Sequence, residues 1–497
     1  MKGKRIWEAA VGILEIVGVI GLMALTCWLI WRYTKAGDGQ MVTADVAGMT
    51  DEGAEEEDES PADRGSSKAD EDKKEESQDH TVQADERQTN GMEPFLKRIG
   101  ENPDIRVRIL TTGYNSDCHD VIEVSCASSY KVREQTEVQE QKEDQTEQAD
   151  GREEAAFSQM EFQRDEHFQI EAGDLSPGQC MAIEAESEEP LCVCSIERSD
   201  GIPQYAGRLL VRREPDGLAL INELPLEQYL YSVVSSEMPS YYPGEAQKAQ
   251  AVCARTYAWN CILRREDSTQ FDLDDSVSFQ VYRNFADTES SRSAVEETKG
   301  LILPESEALY YSTSCLSEHR DDLGNSAAFG RFLQKEPKAD EEYGSPWLRW
   351  QTEVSASDLI LNLSNQGVSM AAVTEIGILL RSGNGQVQRL QITGNGESHI
   401  LEGEYAIRTA LAPHGAINLY DGTTAEISML PSAFFVFGTQ TDGNTSQEQI
   451  RVESTEPINI SGGGYGHGTG MSQCGAAAMA ERGEKFLDIL QYYYGDD

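Results

Sequence analysis

From residue 36 to residue 93 the chain is rich in Asp, Glu, Ser, Gln and Gly and poor in aromatic and β-branched residues, typified by "DEGAEEEDES". Such a segment has too little apolar surface to offset the entropy of ordering it. It reads as a disordered, self-repelling tether. A second acidic stretch, 133–166 ("REQTEVQEQKEDQTEQADGREE"), interrupts otherwise strand-like sequence and reads as a solvated insertion. Together these tracts supply much of a net charge of −46, which excludes nucleic acid as a natural partner.

Residues 1–35 read as a membrane anchor. Lys2, Lys4 and Arg5 precede a mostly apolar run from Ile6 to Trp31, and Arg32 and Lys35 follow it. About 20 apolar residues suffice to cross a bilayer. Glu8 and Glu15 interrupt the run, while Trp7, Trp28, Trp31 and Tyr33 mark its interfaces. No small-residue cleavage site follows Trp31, so the segment reads as an uncleaved single-pass anchor rather than a signal peptide. The bulk of the chain is then expected outside the cytoplasm. Nine of the ten cysteines lie beyond this segment, with no CxxC pair, so neither a disulfide framework nor a structural zinc is expected.

The remaining residues, 94–497, have a globular composition and an α+β pattern of mixed sheets and helices. "IRVRIL" (105–110) and "VIEVSC" (121–126) alternate as strands, and "GRLLVRR" (207–213) with "GLALINEL" (217–224) predicts a hairpin tipped by "EPD". Pro225 is placed at the first position of a helix, "PLEQYLYSVVSSE", with Leu226, Tyr229, Leu230 and Val233 on one face. A second helix is predicted from Gly244 to Arg264, with Ala249, Val252, Cys253 and Tyr257 as its buried stripe. Further strands are expected at 373–382, 387–393, 432–438 and 458–461. Two helices close the chain, the last with Phe486, Ile489, Leu490 and Tyr493 on one face.

Two constellations carry chemistry. Pro239 disfavours helical geometry at Met238, so the first helix stops near Glu237. The carboxyl group then sits at the negative end of a helix dipole, beside Val233, Val234 and Met238. Desolvation and the dipole both disfavour its ionised form and raise its pKa. A carboxylic acid held protonated near neutral pH is what general acid catalysis needs. The residues alone leave two readings open, that acid and an ordinary glutamate at a helix end. The second constellation is "SGGGYGHGTGMSQCGA" (461–476). Its glycines permit positive φ and close backbone approach, Ser472 is placed to cap the following helix, and His467 among glycines points to binding or catalysis. It lacks the Lys-Ser/Thr of a P-loop.

"LPLEQYLYSVVSSEMPSYYPGEAQKAQAVCARTYAW" and "GGGYGHGTGMSQCGA", with "ALYYSTSC" (308–315), "SPW" (345–347) and "LEGEYAIRTAL" (401–411), resemble the stage II sporulation protein D family. The resemblance implies a membrane-anchored lytic transglycosylase, free of cofactor, that acts on peptidoglycan glycan strands during forespore engulfment. It implies that Glu237, in the "EMP" motif, is the catalytic acid. Tyr465, His467 and Gln473 then become a sugar-binding wall, and Tyr311, Ser312 and Ser314 are candidates for the opposite wall, with packing an equal alternative for those three. A wall amidase and a multi-spanning membrane protein of the engulfment machinery are the implied partners.

Two departures stand out. Where many relatives carry cysteine and histidine before "QVY", some holding zinc, this chain reads "FDLDDSVSFQVY" (271–282), with Asp274, Ser278 and Phe279 at the expected ligand positions, so no metal is expected. Where relatives continue "STS" with glycines, this chain has Leu316 and Ser317. Three other readings stand beside the transglycosylase. One is a non-catalytic wall-binding scaffold of the same fold. Another is a cysteine hydrolase using Cys474 and His467. The third is a glycosidase with a second carboxylate among Asp272, Asp274 and Asp275.

Overall fold

The computed structural model describes residues 95–135, 159–265, 270–283, 288–304, 306–316, 321–337, 342–438 and 447–495. The anchor expected at 1–35, the tether expected at 36–93, and the middle of the acidic insertion, 136–158, lie outside the described residues. Among the described residues no helix is long and apolar enough to cross a membrane.

The fold is α+β. Its helices are α1 (Leu226–Glu237), α2 (Gly244–Arg264), α3 (Glu289–Glu297), α4 (Ser326–Leu333), α5 (Ala356–Asn365), α6 (Glu404–Ala410), α7 (Gln473–Glu481) and α8 (Phe486–Tyr494). The first half is built on a seven-stranded sheet. Its order is Leu273–Asp274, Asp104–Ile109, Gly217–Pro225, Arg208–Glu214, Cys180–Ala185, Tyr130–Gln135 and Gln159–Phe162. All its pairs are antiparallel except the first. A four-stranded sheet containing Val121–Cys126 packs with it around one core that also receives Tyr229, Leu230, Val233 and Val234 of α1. The second half has a five-stranded and a four-stranded sheet around a separate core centred on Trp350, Ile376, Leu390, Phe435 and Ile460. Between the halves lies a third cluster, in which Met238, Tyr242, Ala249, Val252 and Cys253 meet Met471, Cys474, Ala477, Ile489 and Leu490.

The predicted hairpin forms with Glu214 opposite Gly217, so its loop is Pro215-Asp216. Pro225 is the last residue of the incoming strand and caps α1, which starts one residue later than expected. The stop is where Pro239 requires it, with Met238 extended at φ −133°. Helix α2 has the predicted ends but is buried almost all round rather than along one stripe. It is the central helix, packed against α1, α3, α7 and α8. Its alanines at 246, 249, 251, 254 and 258 allow that crowding.

The acidic insertion begins later and ends earlier than composition suggests. Tyr130–Arg133 pair antiparallel with Gln159–Phe162, and the strand runs on to Gln135 against Cys180. The edge strand Gln159–Phe162 is anchored to its neighbour's apolar face of Tyr130 and Val132, with Phe162 stacked on Tyr130 at 5.0 Å between ring centres.

Arg255 is completely buried in α2. Its guanidinium makes two parallel bonds to Glu227 of α1, at 2.9 and 2.7 Å, and reaches the carbonyls of Val295 and Leu301. Glu227 also accepts the amide N–H of Gly300 at 3.0 Å. This pair fixes α1 against α2, and therefore fixes Glu237 at the end of α1.

Candidate active site

Glu237 is the last residue of α1, and its Oε1 accepts the backbone N–H of Val281 at 2.7 Å. The hydroxyl of Tyr310 and the side chain of Gln473 also hydrogen-bond its carboxyl group. The Gln473 amide in addition donates to the Glu237 backbone carbonyl at 3.0 Å. Burial pushes the Glu237 pKa up to about 7, against the opposing pull of these three donors and of the Arg283 charge. The group is therefore a mixture of acid and carboxylate at neutral pH.

Tyr310 is held from several directions. Its hydroxyl accepts the Gln280 side-chain amide at 3.2 Å, and Gln280 accepts the Tyr229 hydroxyl at 3.2 Å. Its carbonyl accepts His467 Nε2 at 2.7 Å. His467 Nδ1 accepts the Thr469 N–H at 3.2 Å, which assigns the ring proton to Nε2. Burial lowers the His467 pKa, so the ring is a neutral donor that braces Tyr310.

The glycine-rich segment makes its close approaches to the protein itself. Tyr310–Tyr311 and Met471–Ser472 form a two-stranded parallel sheet. Gly470, at φ +80°, lies so near Leu309 that an added Cβ would come within 1.8 Å of its carbonyl oxygen. At Gly466, φ +112°, a Cβ would come within 2.7 Å of the Tyr311 Cβ. Both positions need glycine for conformation and for space. Ser472 caps α7, accepting the Gly475 N–H at 3.1 Å.

Of the residues singled out in the sequence, Gln473 is brought to Glu237 directly, and His467 through Tyr310. Tyr465 packs its ring on Trp347, 4.6 Å between centres, and exchanges backbone hydrogen bonds with Thr313. Tyr311 approaches the His467 ring at 5.6 Å and interacts with Ser314 and Glu342. The Ser312 carbonyl accepts the Cys474 N–H, and the Ser314 hydroxyl accepts the Leu316 N–H at 2.9 Å. Sequence reasoning missed Tyr310, Gln280 and the Val281 amide. The signal for Tyr310 was present in "ALYYSTSC". Adjacent strand residues face opposite sides, so only one of the two tyrosines reaches Glu237.

The alternative chemistries find their groups engaged elsewhere. Cys474 Sγ contacts the Tyr242 hydroxyl at 3.4 Å, and burial raises its pKa to about 11, far from a thiolate nucleophile. Asp275 pairs with Arg198 at 2.7 Å and accepts the Leu110 N–H. Asp272 pairs with Arg265 and accepts the Arg106 N–H. Asp274 accepts the Ser276 N–H. Phe279 offers no donor atom and Asp274 already binds its own turn, so this stretch does not fit the zinc that some relatives hold. Among the described residues no three His, Cys, Asp or Glu side chains are grouped to bind a metal.

A family model described as "Stage II sporulation protein" matches residues 214–304, and one described as a domain of unknown function matches 307–470. The stage II sporulation protein D of Bacillus amyloliquefaciens is 30% identical over 294 residues, which cover 55% of this chain and 74% of that protein. The chain belongs to the stage II sporulation protein D family. An uncharacterized protein of Brachyspira hyodysenteriae is 29% identical over 300 residues, covering 59% of this chain and 71% of its own. The amidase enhancer of Bacillus subtilis is 29% identical over 296 residues, covering 53% of this chain but only 39% of that longer protein. In this family member Glu237 falls in the first matched stretch and Tyr310 in the second, while Gln473 lies beyond both.

Proposed function

We propose that the chain is a peptidoglycan lytic transglycosylase with Glu237 as its one acid and base. The observation that carries this reading is a single buried carboxyl group, its pKa raised by burial to about 7, with three hydrogen-bond donors arranged around it. The acid form protonates the oxygen of the bond between N-acetylmuramic acid and N-acetylglucosamine. As the proton leaves, the Val281 N–H, Tyr310 and Gln473 bonds strengthen on the forming carboxylate. They thus favour the transition state over the ground state. The carboxylate then takes the proton of the muramic C6 hydroxyl, which attacks C1 and closes a 1,6-anhydro ring. One carboxyl group suffices, and Asp272, Asp274 and Asp275 are committed to structural ties. The same reading places the domain outside the cytoplasm on a single-pass anchor, where sporulating cells engulf the forespore.

Mass spectrometry of glycan strands digested by the full chain tests it. Anhydro-muramyl ends are the expected product. Reducing ends instead would sink the transglycosylase and call for a second carboxylate.

The relative named amidase enhancer favours a second reading, in which the chain binds the wall and acts through an amidase. Glycan left intact, together with faster stem-peptide release by an added wall amidase, would select that reading.

The pH profile carries its own prediction. With Glu237 near 7, kcat/KM should fall as pH rises through that value, because the acid form is lost. Tyr310→Phe removes a donor that favours the carboxylate, so the alkaline limb should move to higher pH. A hydrogen bond to a charged group contributes about 1.5–3 kcal/mol, so the plateau rate should drop about 10- to 100-fold. An unshifted limb would remove Tyr310 from the site.

A further inference from the structure

We propose that Glu342 is a positioning residue, a buried clamp that joins the strand carrying Tyr310 to the start of α7, which carries Gln473, and so sets both partners of Glu237 at once. Glu342 is 4% exposed, and its Oε2 receives three donors from these two segments. They are the Thr313 hydroxyl at 3.0 Å, the Ser314 N–H at 3.2 Å and the Ser472 hydroxyl at 2.9 Å. Oε2 acts as an acceptor toward all three, as a carboxylate oxygen does. Thr313 follows Tyr310 by three residues, and Ser472 directly precedes Gln473. The clamp continues into α7, because Ser472 Oγ also accepts the Gly475 N–H at the positive end of that helix. Gly475 leaves room for it: an added Cβ would stand 3.3 Å from Glu342 Oε1 and 2.1 Å from the Tyr493 hydroxyl.

Among the titratable groups facing Glu342 are Tyr311, Cys315, Cys474 and Tyr493. Burial raises the pKa of each, so all four are neutral at pH 7 and none competes with the charge on Glu342. Two other ties act on the same pair of strands. His467 holds the Tyr310 carbonyl, and the Tyr494 hydroxyl donates to the Leu309 carbonyl and accepts the Met471 N–H at 3.2 Å. These fix the strand backbones against each other. Glu342 differs in gripping side-chain hydroxyls on both segments, one three residues after Tyr310 and one directly before Gln473.

The proposal rests on Glu237 as the acid, and its test separates the two claims. The Glu237 titration is followed by carbon-13 NMR of labelled carboxyl groups and assigned with Glu237→Gln. Tyr310, Tyr229 and Arg283 are the titratable and charged groups that face Glu237. None of them is altered in the Glu342 variants. In Glu342→Ala, Tyr310 and Gln473 lose their register, and the Glu237 midpoint should move upward from about 7. Turnover of glycan should fall 10- to 100-fold in kcat with KM changed less than about 3-fold. Glu342→Gln keeps one acceptor oxygen and should recover much of both. An unmoved Glu237 midpoint in a folded Glu342→Ala chain would overturn the clamp, whatever happens to turnover. If Glu342→Ala does not fold, Ser472→Ala decides, with a smaller upward shift expected and no shift overturning the proposal. If wild type cleaves no glycan, the transglycosylase reading falls, while the NMR midpoint still judges the clamp.

Discussion

Glu237→Gln is expected to cut release of anhydro ends about 1000-fold or more. The residue serves first as acid and then as base, and each such role contributes roughly 10²- to 10⁴-fold. The same substitution should stabilise the fold above neutral pH. Burial raises the Glu237 pKa to about 7 from an ordinary 4.5. A group shifted upward contributes stability that is complete below pH 4.5 and is lost as pH rises through 7. Glutamine mimics the protonated state and escapes that loss. Thermal unfolding should therefore show the variant more stable than wild type by on the order of 1–3 kcal/mol at pH 8, with the two converging near pH 4.5. Reduced activity with an unchanged pH dependence of stability would mean that the carboxyl group is not desolvated, and the acid assignment would fail. Full activity would leave the wall-binding reading in possession.

Arg255→Met should have the largest effect on stability. It removes the guanidinium that answers Glu227 inside the protein and leaves that carboxylate to the Gly300 N–H alone among the contacts described above. Breaking a buried pair from one side costs about 3–5 kcal/mol, because the surviving charge stays desolvated. Urea unfolding should show a midpoint lowered accordingly with little change in slope. The double variant Arg255→Met with Glu227→Leu should recover much of the loss, since replacing both charges leaves none to strand. A double variant no better than the single would show that the carbonyls of Val295 and Leu301, deprived of their donor, dominate the cost. The consequence for function is direct. The pair joins the start of α1 to α2, and Glu237 closes that same helix, so the active form should be lost at lower denaturant than the sheet cores.

The local signals in this sequence were strong where one segment decides its own conformation. Pro239 stops α1 after Glu237 whatever surrounds it, because a proline restricts the residue before it. The periodicity at 226–233 and the ends of α2 at Gly244 and Arg264 follow from short-range preference and apolar spacing. Ser472 caps its helix because the cap is a contact within three residues. The direction of the Glu237 pKa shift was legible too, although the burial that causes it comes with Val281, Tyr310 and Gln473, which are distant in sequence.

What the sequence could not determine depended on segments far apart in the chain. The glycines of 462–470 imply close approach but not to what, and the answer was the chain's own residues 309–315 together with Leu348, Trp350 and Phe434. The choice of Tyr310 over Tyr311 turns on which face of a two-residue strand looks toward α1, and that follows from pairing with Met471–Ser472. Nothing local marks Arg255, Glu227 or Glu342 as buried, because an ionised side chain is driven inside only when its partners are folded around it. The sequence thus determined the helix end that carries the acid, and tertiary structure decided which donors meet it, since hydrogen bonds across 44 or 236 residues of separation exist only once both cores have closed.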